Sequence, residues 1–244
     1  MQLSYPTFEE RLVMRLAALT ELSRSDRVKL QEAAQSSFVI SEEKPLKLSG
    51  PSGRSRLLVV DGWLARSTSH QDGRRQIIGF YVPGDVISPG MALKPVITTD
   101  LTSVGQATLC PAPEGQSLAR AYAAAADVEQ AYLHRQVARL GRMNAFERVE
   151  DWMWEMRDRL LLSGMAQPQA FQLPITQDIL ADVLGLTPVH VNRTLKLLRE
   201  VGVLTWRSGY VRFAHEGASS QVACEELGSR SSRASGGTPF TGQA

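Results

Sequence analysis

The chain reads as an α+β protein: an N-terminal antiparallel β-roll, a long central helix and a C-terminal winged helix-turn-helix. Three observations lead there. Asp61-Gly62, Asp72-Gly73 and Pro83-Gly84 place turn signals eleven residues apart in a stretch rich in β-branched and aromatic residues. A run rich in Ala and free of Pro follows from 116 to 143. Beyond it, two amphipathic helical segments meet around Gly185, and two short strands meet around Ser208-Gly209.

The elements follow in order. FEERLVMRLAALTEL carries apolar positions at helical spacing, and Ser23 or Ser25 caps a second helix, DRVKLQEAAQ. From 38 to about 112 the segments LLVV, WLARSTS and RQIIGFYV read as short strands, with PLKLSGPSGRSR (45–56) as a loop. In the central helix Leu133, Val137, Leu140 and Asn144 follow 4-3-4 spacing, which suits either a coiled-coil seam or a helix packed on its own domain. AFERVEDWMWEMRDRLLL continues as an amphipathic helix with Val149, Trp152, Met153, Met156 and Leu160 on its apolar face. The expected division is 1–115 for the roll with its N-terminal helices, 116–143 for the central helix and 144–215 for the winged helix. A Ser/Gly-rich tail, 216–244, is expected to be disordered.

Totals narrow the function classes. The chain has 244 residues, 43% hydrophobic and 21% charged, which suits two modest folded domains. Its two cysteines, Cys110 and Cys224, supply neither an iron–sulfur site nor a disulfide framework. No apolar run reaches the ~18 residues of a membrane span, and Glu9, Glu10 and Arg11 stand where a signal peptide is apolar, so a cytoplasmic protein is expected. A cupin-like metal enzyme needs several histidines in the roll. Of His70, His134, His190 and His215, only His70 lies there. Neither a Ser/His/Asp set nor a Gly-rich phosphate loop is visible. The expectation is therefore a non-enzyme with no cofactor and no metal.

The C-terminal third carries the chemistry. Thr176 caps QDILADVLG, Gly185 supplies the tight turn, and Pro188 fits the first turn of the next helix. That helix, TPVHVNRTLKLLREVGV, has Val191, Leu195 and Leu198 on one face. Asn192, Arg193, Lys196 and Arg199 project from the other side, with Val189 near the start. VLTWRSGYVRF then forms a hairpin wing bearing Arg207 and Arg212. Net charge is only +2 overall, but 190–215 carries +4. A helix with a packed back and an amide-and-cation front suits a polyanion.

DGRRQIIGFYVPGD in the roll and LADVLGLTPVHVNRTLKLLREVGVL in the head resemble the Crp/Fnr family of bacterial transcription regulators, over about residues 8–215. The resemblance implies a roll like those that bind cyclic nucleotides. It also implies a homodimer joined through Leu133, Val137 and Leu140 and bound to a two-fold symmetric double-stranded DNA operator, with RNA polymerase as a partner if the protein activates. The family's reading positions fall on Val189, His190, Asn192 and Arg193, and its phosphate positions on Gln177, Thr187 and Lys196. Arg207 extends this surface onto the wing. A guanidinium at Arg193 suits guanine O6 and N7. Asn192 suits adenine, a phosphate, or a role fixing Arg193, and His190 suits packing or a phosphate. Val189 stands where well-known members carry glutamate, and it touches a thymine methyl but accepts nothing from cytosine.

The roll departs from the cyclic-nucleotide pattern. Ser88-Pro89-Gly90 replaces the Gly-Glu-Leu segment, and Thr99-Asp100 stands near the expected Arg-Ser or Arg-Thr pair, where an aspartate repels phosphate. The expected regulator responds to an effector other than a cyclic nucleotide. The alternatives are a cyclic-nucleotide- or haem-responsive member of the family, and an adaptor that has lost DNA binding.

Overall fold

The computed structural model describes residues 5–41, 45–46, 56–69, 71–88 and 99–215. His70, Pro89-Gly90, Cys224, the 216–244 tail and most of the 45–56 loop lie outside the described residues.

The chain opens with α1 (Phe8–Ala17) and α2 (Arg24–Gln35). Thr7 caps α1 reciprocally: its hydroxyl accepts from Glu10 N at 3.3 Å, while the Glu10 carboxylate accepts from Thr7 N at 2.8 Å. Ser23, and not Ser25, caps α2, accepting from Asp26 N. Asp26 in turn starts the central helix. Gly115 at that N-cap has no side chain, so the Asp26 carboxylate accepts from Ser117 N at 3.0 Å and from the Ser117 hydroxyl at 2.6 Å. The Ser117 hydroxyl bond lowers the Asp26 carboxyl to about 2 against the opposing effect of desolvation, with Lys29 assisting. A Cβ at Gly115 would collide with that carboxylate.

The roll is one antiparallel sheet. It contains β1 (Phe38–Ser41), β2 (Leu57–Ser69), β3 (Arg75–Tyr81), β4 (Val86–Ile87) and β5 (Asp100–Pro111), in the order β1-β5-β2-β3 with β4 on β2. Asp72-Gly73 joins β2 to β3 and Pro83-Gly84 leads into β4, as their composition indicates. Asp61-Gly62 does not make a turn. LLVV and WLARSTS form a single strand whose register against β5 shifts on both sides of Asp61. Gly62 sits at φ +74°, and a Cβ there would run into the Gln106 carbonyl. The glycine thus serves a bend in a continuous strand. One sheet face packs Leu58, Val60, Val86 and Cys110 on α1, α2 and the start of the central helix. Burial pushes the Cys110 thiol up to about 12.

The central helix, α3 (Gln116–Arg142), is 27 residues long, roughly 40 Å. It ends before Asn144, so Asn144 is not the fourth position of the seam. Asn144 instead caps α4 (Ala145–Leu161), its side chain accepting from Phe146 N and Glu147 N while Glu147 accepts from Asn144 N. Val149, Trp152, Met153, Met156 and Leu160 of α4 are all buried. They share one cluster with Trp63, Ile77 and Phe80 of the roll and with the core of the C-terminal head.

A buried ionic network crosses the same junction. Asp85, just after Pro83-Gly84, accepts from Arg15 of α1 at 3.0 and 3.1 Å, from Arg159 of α4 at 2.7 Å and from Val82 N at 2.9 Å. Burial alone would raise its carboxyl, but Arg159 and Arg15 hold it below the ordinary value. Arg139 of α3, 1% exposed, bonds Asp151 at 2.6 Å and Glu155 at 2.6 Å. Arg135 holds Asp151 from one turn away at 2.5 Å. Desolvation raises Asp151, and the bonds from Arg135 and Arg139 bring it below its usual range.

Candidate nucleic-acid interface

After α4 the head continues with a hairpin the sequence did not announce, β6 (Ala166–Gln167) and β7 (Ala170–Gln172). β7 pairs with β9 (Tyr210–Phe213), and β8 (Leu204–Arg207) pairs with β9 on the other side. The wing is therefore the outer half of a four-stranded sheet. Against it lie α5 (Gln177–Leu184) and α6 (Pro188–Glu200), with the bounds their caps suggest. The Thr176 hydroxyl accepts from Ile179 N at 3.2 Å, and the Thr187 hydroxyl accepts from His190 N at 3.2 Å. Gly185 ends α5 in the left-handed conformation, φ 61°.

The last carbonyls of α5 are satisfied from outside the helix pair. Gln76 of β3 donates to Asp182 O at 2.8 Å and Val183 O at 3.0 Å. Gln136 of α3 donates to Val183 O at 2.7 Å, and Arg148 of α4 to Leu184 O at 3.0 Å. Arg75 pairs with the Asp182 carboxylate at 2.7 Å. The helix pair is thereby seated on the roll and on α3.

α6 turns Val191, Thr194 and Leu198 inward. Leu195 is only partly covered, so Thr194 completes the packed back. The expected binding residues Gln177, Thr187, Val189, His190, Asn192, Arg193, Lys196 and Arg207 are all exposed. Val189, an apolar side chain, is 58% exposed. His190 points to solvent, which leaves packing without support. Lys196 lies 3.8 Å from Glu200 one turn on. Arg193 makes no hydrogen bond or ion pair with any described residue. Gln177, Asn192, Lys196 and Arg199 line one open cleft together with Leu195 and Trp206. The surface thus presents two cations and two amides, whose N–H groups suit the oxygens of a phosphate chain. Arg199 lies on the face of Arg193 and Lys196, where the 3.6-residue period places it, whereas nothing in the sequence marks Trp206 as part of this cleft.

On α3, Val137 is 71% exposed, while Leu133 and Leu140 are half-buried against their own chain. Asp100 opens β5 and is exposed beside Thr99. Among the described residues, no group of His, Cys, Asp and Glu is placed to hold a metal ion, and no helix is long and apolar enough to cross a membrane.

An antiparallel roll, a long helix and a helix-turn-helix backed by a winged sheet define the class of two-part winged helix-turn-helix proteins. Residues 147–215 match the Crp-like helix-turn-helix domain. The chain is 32% identical over 156 residues to the nitrogen fixation regulation protein FixK of Bradyrhizobium diazoefficiens, covering 60% of this chain and 64% of the relative. It is 38% identical over 141 residues to the transcriptional activatory protein AadR of Rhodopseudomonas palustris, covering 53% and 57%. The match spans about six-tenths of the length of these curated relatives. In fold it is similar to FixK2 from Bradyrhizobium japonicum, with TM-score 0.60 and 24% identity over 73% of this chain and 92% of that one. It is also similar to a CRP/FNR-family regulator from Thermus thermophilus, with TM-score 0.54 and 13% identity over 79% and 98%.

Proposed function

We propose that the protein is a sequence-specific DNA-binding transcription regulator that acts in the cytoplasm as a homodimer on a two-fold symmetric operator. The observation that carries this is the outward face of α6, where an exposed Val189, Lys196 and an Arg193 that pairs with no described residue stand over a packed apolar back. Arg193 reads a guanine through its fork, and Val189 contacts a thymine methyl. Gln177, Thr187 and Lys196 hold phosphates, as does His190, and Arg207 follows the backbone from the wing. The partner chain packs along α3 through Val137, with Leu133 and Leu140 flanking. In this reading 1–115 senses, 116–143 joins the protomers and 144–215 binds DNA. RNA polymerase is the further partner if the protein activates.

Selection of bound duplexes from random DNA tests this. The expected product is a pair of inverted half-sites about one helical turn, roughly 10 base pairs, apart. Recovery of unenriched DNA overturns the reading. Cyclic AMP at millimolar concentration should leave affinity for the selected site unchanged, because the roll carries Ser88-Pro89-Gly90 and Thr99-Asp100 at the positions that matter. A micromolar response would restore the cyclic-nucleotide alternative.

A further inference from the structure

We infer that Asn192 is a positioning residue: it reads no base, and instead holds the Gln177 side-chain amide with its oxygen inward and its nitrogen toward the DNA backbone. This rests on the reading of α5 and α6 as a DNA-binding pair. Asn192, Arg193 and Lys196, on the outward face of α6, are engaged differently. Lys196 has Glu200 nearby on its own helix, at 3.8 Å. Arg193 meets no described partner. Asn192 Nδ2 donates to Gln177 Oε1 at 3.3 Å, bridging α6 to the first residue of α5.

A carboxamide that reads adenine must present its donor and its acceptor together to the N7 and N6 edge. One N–H of the Asn192 amide is directed across the helix pair to α5, and keeping that bond fixes the orientation of the whole amide. The consequence falls on Gln177. Its side chain carries one acceptor oxygen and a two-proton donor nitrogen. With the oxygen occupied by Asn192, the end left to meet a polyanion is the NH2 group, and phosphate oxygens only accept. Were the two facing amides paired the other way, a carbonyl oxygen would confront the phosphate. Lys196 and Arg199 line the same cleft, so the outward NH2 is accompanied there by two cations. Asn192 thus supports phosphate binding through Gln177, and base discrimination on α6 falls to Arg193 and Val189.

A double-mutant cycle on the selected operator tests this, with Asn192→Ala, Gln177→Ala and the double variant measured at several salt concentrations. Asn192→Ala should weaken binding roughly five-fold, equally on every single-base operator variant. The salt slope should not change, since no cation is removed. In the Gln177→Ala background, the further change at Asn192 should cost less than about two-fold. Gln177→Glu keeps an acceptor for Asn192 but sets a carboxylate against phosphate, so it should lose more than Gln177→Ala. Both side chains are exposed, and melting temperatures should match the parent. If Asn192→Ala flattens preference at one base pair, Asn192 is a base reader and the inference fails. If the two losses simply add, Asn192 acts independently of Gln177 and it fails as well. If the parent protein enriches no site, the DNA-binding reading itself falls; an additive cycle on an enriched site removes this inference alone.

Discussion

Replacing Asp85 is the sharpest test of what holds the roll to the head. Its carboxylate meets Arg15 from α1 and Arg159 from α4, and the three residues are 8%, 3% and 5% exposed. Asp85→Asn keeps the shape and removes the charge, leaving two buried guanidinium groups. Among the described residues, only Glu155, 3.6 Å from Arg159, remains close to balance them. Breaking a buried pair by deleting one partner costs about 3–5 kcal/mol. Asp85→Ala also strands the Val82 N–H, adding ~1–3 kcal/mol. For a chain of this size each kcal/mol lowers Tm by roughly 2–4 °C, so Asp85→Asn should melt about 10 °C early. Circular dichroism melts with parallel urea titrations at pH 7 give the value. A control separates charge from hydrogen bonding: Arg15→Met, Asp85→Leu and Arg159→Met combined should recover the part of the loss that stranded charge causes, leaving the cost of the unpaired Val82 N–H and Phe80 carbonyl. The reasoning is refuted if Asp85→Asn lies within about 1 kcal/mol of the parent, because a group so weakly coupled is not desolvated as described.

Other expectations are briefer. Arg193→Ala should flatten preference at one base pair per half-site by ~1–3 kcal/mol, whereas Lys196→Ala should weaken all sequences alike and lower the salt slope by about one ion per contact; binding to single-base variants across a salt series distinguishes them. Val137→Glu with Leu140→Glu sets like charges across the proposed seam, and sedimentation equilibrium should then report monomer; a persisting dimer would place the interface elsewhere. Asp85, Asp151 and Asp26 all sit below the ordinary carboxylate value in the folded chain. Their contributions are complete above the unfolded value of about 4 and are lost as pH falls through the folded ones, so Tm should hold from neutral pH to about 5 and decline below about 4. A Tm unchanged at pH 3 would contradict this.

The head was the most legible part, because its caps are local. Thr176, Gly185, Thr187 and Pro188 each act within one turn of their own position, and the two helices begin and end where these residues direct. Asp61-Gly62 misled because the pair that favours a hairpin also tolerates a bulge; the choice was made by β5, more than forty residues away. β6 and β7, two and three residues long, are too short for any period to show. The ionic network has no sequence signature at Asp85, whose partners lie 70 and 74 residues off. It left a trace at Arg135, Arg139, Asp151 and Glu155: two oppositely charged pairs with the same i,i+4 spacing on consecutive helices. The link between Asn192 and Gln177 joins helices meeting at a turn, and nothing in the order of residues marks it.

The carbonyls that close α5 bear on how such proteins can be recombined. Their hydrogen-bond partners come from β3, α3 and α4, so one helix of the head is completed by side chains encoded as much as a hundred residues earlier. A head cut away at residue 144 keeps Arg148 but leaves Gln76 and Gln136 behind, and water must take their place. Grafting this head onto another roll and helix would therefore need a donor amide at each of those two positions. Exchange between relatives is easiest where both scaffolds already supply them, which makes two glutamines outside the proposed DNA-binding face the compatibility marks for a working chimaera.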